Sequence, residues 1–541
     1  MKRLVKKSFL ILLAGLLLVS TIGCGQGSGD RVLVAKYIYE INVDGVACTK
    51  PQRHDVVVFR FPEDPVKDGA PHNFIKRLIG LAGETIIVIF GQLFVATGLT
   101  YPETSKGEEL DLWYVGHSQS PEVKEKAFNA FYADMMFGDS KEEKKRTFQI
   151  IRKDPHVMLA MRRIVYDNDY QAMDLKKAGF PPRWAPTKAE TWSADGDTGF
   201  KIDSSGAKDQ WLRYKHYVRP GNWPRNATSL EAKQTIDECI KKAEPRLITD
   251  FCSYNEYEYP QSNNVPVWHH QALNWVSDLM LECDLTVEKA EGEFCMELSC
   301  GVDRFQARWE LSSGKCTLYR LKGPEDPEKV ELETLQTNVN APGTYRLRFA
   351  NFDQRLTIWV NDSLPSKNGE SYKGKTYESP WVYIPSNPDK GTQEELRNAG
   401  PTRNDLEPAS LAVNGGAAVS VSHLRLWRDT YYMASLQRGA PIAENESDVP
   451  NDAGGTRSSY KKNPDYWSDP AQWGNMQGNM QGSDPYPRRI AVYVQPGHYL
   501  CFGDNSPESH DGRSWGLVPE RLMLGRALAV YYPFNRARLI R

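Results

Sequence analysis

The sequence predicts a mainly β protein, and three observations carry that prediction. Short runs rich in Val, Ile and Phe, punctuated by Pro and Gly, fill the region before residue 98. A succession of alternating apolar and polar runs fills residues 265–430. Aromatic residues are frequent throughout, with 14 Trp and 26 Tyr, and aromatic side chains favour pleated surfaces. The chain of 541 residues suggests two to four domains. A hydrophobic content of 40% is enough to build real cores. The net charge of −2 points away from nucleic acid as a partner. Nine Cys show no CxxC pair, so neither a disulfide scaffold nor a zinc ribbon is indicated.

Residues 1–24 read as a signal or membrane-anchor segment. Lys2, Arg3, Lys6 and Lys7 precede an apolar run from Phe9 to Val19. That run is short for a permanent span, which needs about 20 apolar residues. Cys24 follows Thr21-Ile-Gly and resembles a bacterial lipoprotein cleavage box, although Thr21 stands where Leu is usual. Cys24 is therefore a candidate lipidation site, and the basic end stays inside while the rest is exported.

Residues 25–98 read as strands: the runs beginning at Arg31, Asp55 and Thr85 carry the β signature. Residues 99–264 read as a mixed, partly helical segment. Phe128, Phe131 and Met135 recur at helical steps, 141–164 carries helical periodicity, and Leu230 to Glu244 suggests another helix. Residues 265–432 read as a β-sandwich. Leu279, Leu281, Cys283, Leu285 and Val287 alternate with polar neighbours, Ser313-Gly314 marks a turn, and Asn351-Phe-Asp-Gln marks a hairpin. Residues 433–488 are a low-complexity linker containing repeated Gly-Asn-Met-Gln. Residues 489–541 begin with another strand, Arg489-Ile-Ala-Val-Tyr-Val.

Two distant segments belong together. The tail contains Gly503-Asp504-Asn505-Ser-Pro-Glu-Ser509-His-Asp511-Gly-Arg513-Ser-Trp515-Gly516, and the front contains Gly29-Asp-Arg-Val-Leu-Val34 and Phe74-Ile-Lys76-Arg. In this order they resemble type I signal peptidases, membrane-tethered proteases with a Ser/Lys dyad. The resemblance implies one small β domain, split between residues 25–98 and 489–541 by the long insertion. Within the insertion, Trp-Val-Asn-Asp and the His-Leu-Arg-Leu-Trp427 strand are similar to concanavalin-like (laminin-G-like) jelly rolls.

The peptidase resemblance implies the chemistry. Lys76 is the general base, which requires a neutral amine; burial beside Phe74, Ile75, Leu78 and Ile79 would lower its pKa. Ser509 holds that amine in line, Asp511 and Arg513 tie the loop to the domain, and Gly503-Asp504-Asn505 lets the backbone approach the site. Gly512 replaces the family's usual second Ser. Ser20 stands at the family's spacing for the nucleophile, but Thr21 and Gly23 replace the Met and Pro of its motif. Ser28 is too close to Gly29 for that role, and Cys24 is a further nucleophile candidate. The expected substrates are signal peptides of exported preproteins, cut at the extracytoplasmic face of a bacterial cytoplasmic membrane. No metal or cofactor is needed. The alternative is a catalytically inactive exported lipoprotein that displays the sandwich to bind a glycan or a protein. His269-His270 would point to opposite faces of a strand, and Cys295 and Cys300 likewise. Asp353 and Asn361-Asp362 read as turn residues before they read as calcium or sugar ligands.

Overall fold

The computed structural model describes chiefly residues 30–36, 50–62, 70–89, 91–99, 147–250, 275–323, 328–377, 401–432, 490–506 and 509–540, with short gaps inside some of these ranges. The Ser20, Ser28, Cys24 and His269-His270 expectations lie outside them.

Front and tail build one sheet. The order is Arg31–Ala35, Met523–Tyr532, Val56–Arg60, Asn73–Gly80, His498–Phe502 and Val518–Pro519, with Arg538–Leu539 pairing the Met523–Tyr532 strand. Each of these pairings is antiparallel, so strands more than 400 positions apart share hydrogen bonds, as in Phe502 opposite Arg77. The split domain expected from the two segments is therefore formed. A four-stranded sheet follows, in the order Phe148–Ile150, Gln92–Thr97, Glu84–Ile89 and Ile490–Tyr493. Every residue of Glu84–Ile89 is buried, so both faces of that sheet are covered. Ile86 and Val88 pack with Leu500 and Phe502 on one side, while Ile87 and Ile89 join the core of the insertion on the other.

The insertion is a sandwich of two antiparallel sheets. One orders Ser193–Asp195, Gly199–Asp203, Ala418–Arg428, Leu279–Lys289, Gly343–Phe352, Arg355–Val360 and Lys375–Thr376, with Arg163–Asp167 also on the Ala418–Arg428 strand. The other orders Trp184–Pro186, Gln210–Tyr214, Ala409–Asn414, Glu293–Cys300, Asp303–Glu310, Lys315–Lys322 and Glu328–Gln336. Leu279, Leu281, Cys283, Leu285 and Val287 from the first sheet meet Phe294, Met296, Leu298 and Cys300 from the second in one core. Cys295 points away from that core and Cys300 into it, as strand alternation requires. The six described cysteines are all buried. Asp353 and Gln354 both take positive φ, the signature of the hairpin turn read from the sequence.

Three sequence expectations need correction. The sandwich does not begin at residue 265, because strands between residues 163 and 214 complete both sheets. Those strands are only three to five residues long and Trp-, Gly- and Asp-rich, too short to show alternation. Within 141–164, the helix is confined to Pro155–Met161, and Phe148–Ile150 is a strand. The Leu279–Lys289 strand is buried on both faces at its start, because Met158 of that helix covers Met280. The helix expected after Leu230 is present as Leu230–Lys241, capped by Ser229, whose hydroxyl accepts from Ala232 N–H.

The Pro155–Met161 helix joins the two units. Val157 and Met161, four apart on one face, pack with Leu500 and Phe502. Met158 faces Met280, Phe352 and Trp359 of the sandwich. Beside the helix lies a buried ionic cluster. The Lys153 ammonium bridges Asp353 (2.6 Å) and Asp429 (2.7 Å), and Asp278 accepts from Gln92 Nε2 and from Asp353 N–H. Lys153→Met would leave these buried carboxylates without their counter-charge. We expect a loss of about 3–5 kcal/mol, read as a drop in the midpoint of thermal unfolding with both units melting together.

Candidate active site

The site is built where the Asn73–Gly80 and His498–Phe502 strands meet. Alternation along Asn73–Gly80 puts Phe74 and Leu78 in one core with Trp515. Ile75 and Ile79 belong to two other cores. So of the four apolar neighbours expected to shelter Lys76, Phe74 and Leu78 lie on its side of the sheet and Ile75 and Ile79 do not. The missing cover comes from the tail: the Lys76 amine lies 5.6 Å from the Phe74 ring and 5.9 Å from the Trp515 ring. Phe61 and His510 pack edge-on or tilted against Trp515 at 5.3 and 4.9 Å, extending the apolar wall.

Lys76 Nζ lies 2.9 Å from Ser509 Oγ, across 433 positions of sequence. Burial lowers the Lys76 pKa from its ordinary 10.5; Asp511 opposes that, and Arg513 reinforces it. Ser509 itself is buried. Gly503 sits directly against the pair. A Cβ there would fall 1.9 Å from Ser509 Oγ and 3.4 Å from Lys76 Nζ, so only glycine fits. Gly512 is forced in the same way, since its Cβ would approach the Cys501 carbonyl oxygen to 2.8 Å.

Asp511 and Arg513 hold this loop from beneath. Both side chains are fully buried and pair at 2.6 Å. Asp511 also accepts from Gly503 N–H (2.8 Å) and Arg513 N–H (3.0 Å). Arg513 donates onward to Ser506 Oγ (2.6 Å) and Ser506 O (2.9 Å). Burial alone would raise the Asp511 pKa, but the Arg513 charge and these hydrogen bonds win and hold it below the usual carboxylate value. The Asp511–Arg513 tie read from the sequence is thus a buried, multiply bonded clamp on the turn that faces Lys76.

Asp504 takes both ends of a bidentate pair with Arg77, at 2.8 and 2.7 Å. Arg77, next to Lys76 in the motif, is 4% exposed. No sequence signal separated it from an exposed Arg, because its partner lies 427 positions away. Trp515 was missed as a site residue for the same reason, while Ser506, seven residues from its partner Arg513, read only as part of the polar turn. Asn505 is exposed and contributes only to the turn. Burial pushes the Cys501 thiol up, away from the thiolate form that a nucleophile needs.

Asp353, Asn361 and Asp362 all take turn conformations. Asp353 belongs to the Lys153 cluster, and Asp362 pairs with Arg348. Among the described residues one acidic trio, Asp278, Asp353 and Asp429, has carboxylate oxygens within 4.8 Å of one another, the spacing a divalent cation needs. The Lys153 ammonium bridges two of the three.

The described geometry is thus a buried Lys–Ser pair on a split antiparallel β domain. Comparison with known families bears on the same two segments. The family described as signal peptidase, peptidase S26, matches residues 26–173 and 440–532. Signal peptidase I of Pseudomonas aeruginosa is 38% identical over 87 residues, which are 15% of this chain and 28% of that protein. The probable signal peptidase I-2 of Synechocystis is 41% identical over 49 residues, 9% of this chain and 22% of that protein. These matches thus span under a third of the relatives' length. The resemblance to type I signal peptidases read from the two segments is therefore matched independently, and it flanks the inserted sandwich.

Solved structures similar to the chain include the carbohydrate binding module CBM66 from Bacillus subtilis (10% identity, TM-score 0.23, 45% of this chain and 94% of that one). A beta-1,3-glucanase from Mycobacterium marinum is similar at 12% identity and TM-score 0.21, over 46% of this chain and 93% of that one. The sandwich assignment rests on its own strand pairings. No helix among the described residues is long and apolar enough to cross a membrane.

Proposed function

We propose that the chain is a signal peptidase-like serine endopeptidase that cleaves signal peptides from exported preproteins at the membrane surface. The observation that carries this reading is the 2.9 Å Lys76–Ser509 contact inside an apolar wall. A Lys so placed is biased toward the neutral amine that a general base requires. The Ser20 Oγ attacks the carbonyl carbon after a small residue, and its proton passes to Lys76 Nζ. Backbone N–H groups hold the developing oxyanion. The resulting Lys76 ammonium returns the proton to the leaving amine, which departs and leaves an acyl-serine. Lys76 then takes a proton from a water that attacks the ester carbonyl and passes it to the Ser20 oxygen as the ester bond breaks, which releases the carboxylic acid and restores both Ser20 and the neutral amine. Ser509 accepts a hydrogen bond from the Lys76 amine and keeps its lone pair aimed at the nucleophile.

The site faces the outer side of the membrane in this reading, with residues 1–24 as anchor. The sandwich offers a glycan or protein ligand a separate surface.

One sequence observation favours a second reading. Ser20 precedes Cys24 inside the apolar targeting segment, and Thr21 and Gly23 depart from the nucleophile motif. Cleavage before Cys24 would remove Ser20 and leave an inactive lipoprotein. Intact mass and N-terminal analysis of the membrane-bound protein decide between the two. An uncleaved N-terminus, together with loss of preprotein cleavage in Ser20→Ala, is the expected result. A lipidated Cys24 as the new N-terminus would sink the Ser20–Lys76 dyad.

A further inference from the structure

The sandwich reaches the catalytic turn through one side chain. Arg163 Nη2 donates to the Asp504 carbonyl oxygen at 2.9 Å. Arg163 opens the Arg163–Asp167 strand and lies opposite Arg428 in the sandwich sheet. Two residues before it, Met161 packs with Leu500 and Phe502, on the strand that runs into Gly503. Where the chain leaves the sandwich, the Tyr432 ring packs on Phe502 at 5.6 Å. The base of Arg163 is therefore fixed to both units, and only its guanidinium reaches across to the turn.

We propose that Arg163 is a positioning residue, through which the inserted sandwich holds the Gly503–Asp504 turn against the Lys76–Ser509 pair. This rests on the peptidase reading of that pair. Three groups grip the turn. Arg77 holds the Asp504 carboxylate, Asp511 holds the Gly503 N–H, and Arg163 holds the Asp504 carbonyl. The first two come from the peptidase sheet and its own tail. Arg163 alone of the three comes from a sandwich strand. The turn leaves no slack, because a single added carbon at Gly503 would overlap Ser509 Oγ. Any drift of the Asp504 peptide therefore moves Ser509 relative to Lys76. A positioning error of about an ångström is enough to cost a large rate factor. The insertion is in this sense part of the catalytic frame rather than an appended module.

The test uses the full chain in membranes or detergent, with Arg163→Ala and Arg163→Lys. Two readouts are taken: amide hydrogen exchange over residues 500–506, and kcat and KM on a preprotein. In Arg163→Ala, exchange in the turn should rise about five- to tenfold, as loss of one hydrogen bond implies. The kcat should fall by a similar factor with KM unchanged and the unfolding midpoint within a degree or two. Arg163→Lys, which keeps a donor, should recover part of both. Wild-type exchange and wild-type kcat in Arg163→Ala would overturn the proposal. So would faster exchange spread evenly over the sandwich strands, which would mark Arg163 as merely structural. If the wild-type protein cleaves no preprotein but the turn still loosens in Arg163→Ala, the peptidase reading fails while the positioning role stands.

Discussion

On the proposed signal peptidase-like function, Lys76→Met should cripple preprotein cleavage while leaving the fold intact. A positioned general base contributes typically 10²–10⁴-fold to rate, and Met keeps the length of the side chain without the amine. The side chain lies between the Phe74 and Trp515 rings, so a thioether is well accommodated there. The expected result is a kcat at least about a hundredfold down, with an unfolding midpoint within a few degrees of wild type. Retention of cleavage in Lys76→Met would remove the amine from the mechanism altogether. The pH profile carries the same point. The base works only when deprotonated, so the rate should climb as pH rises through the folded-state pKa of Lys76. Burial lowers that pKa, so the climb should lie below the ordinary lysine value of 10.5.

Asp511→Asn should be the most destabilising single change at the site. It leaves the fully buried Arg513 guanidinium without its carboxylate, and breaking a buried pair from one side costs about 3–5 kcal/mol. A fall of roughly 10 °C in the unfolding midpoint is expected for a unit of this size. Replacing both partners, as Asp511→Asn with Arg513→Met, should recover part of the loss, because no lone charge then stays buried. The sign with pH follows from the direction of the Asp511 shift. Its folded-state pKa lies below the unfolded one, so the pair's contribution is complete above the unfolded value. It is lost as pH falls through the folded value, and the acid-unfolding limb should disappear in the double variant. Asp511 is also the largest of the influences that raise the Lys76 pKa against its burial. In Asp511→Asn the rising limb of the rate profile should therefore move to lower pH. An unchanged midpoint and an unchanged limb would mean that the clamp does not hold the loop.

Strand identity was legible at most positions where apolar side chains alternate over five or more residues. The Leu279–Lys289 strand and the Asn351–Gln354 hairpin belong to this class, since period-two alternation and turn chemistry are local properties. The short strands between residues 163 and 214 were not legible. A run of three to five residues cannot show a period, and what makes them strands is the sheet they pair with. The motif residues Lys76, Ser509, Asp511 and Arg513 were legible as a set, and the structure gathers them into one site. Their environment was not. The sequence offered Ile75 and Ile79 as shelter for Lys76, but alternation sends them to other cores, and Trp515 takes their place.

The sequence by itself determined the mainly β character, the split of the small domain around a long insertion, and the residue types available for Lys-based chemistry. These follow from local periodicity, turn residues and a motif whose parts are short. Only the tertiary structure decided that Arg77 is buried on Asp504, that Lys153 bridges carboxylates from two sandwich loops, and that Arg163 reaches the Gly503–Asp504 turn. Each of those contacts joins residues 200 to 427 positions apart. A charged side chain looks the same in sequence whether water or a buried partner will meet it, and only folding brings the partner.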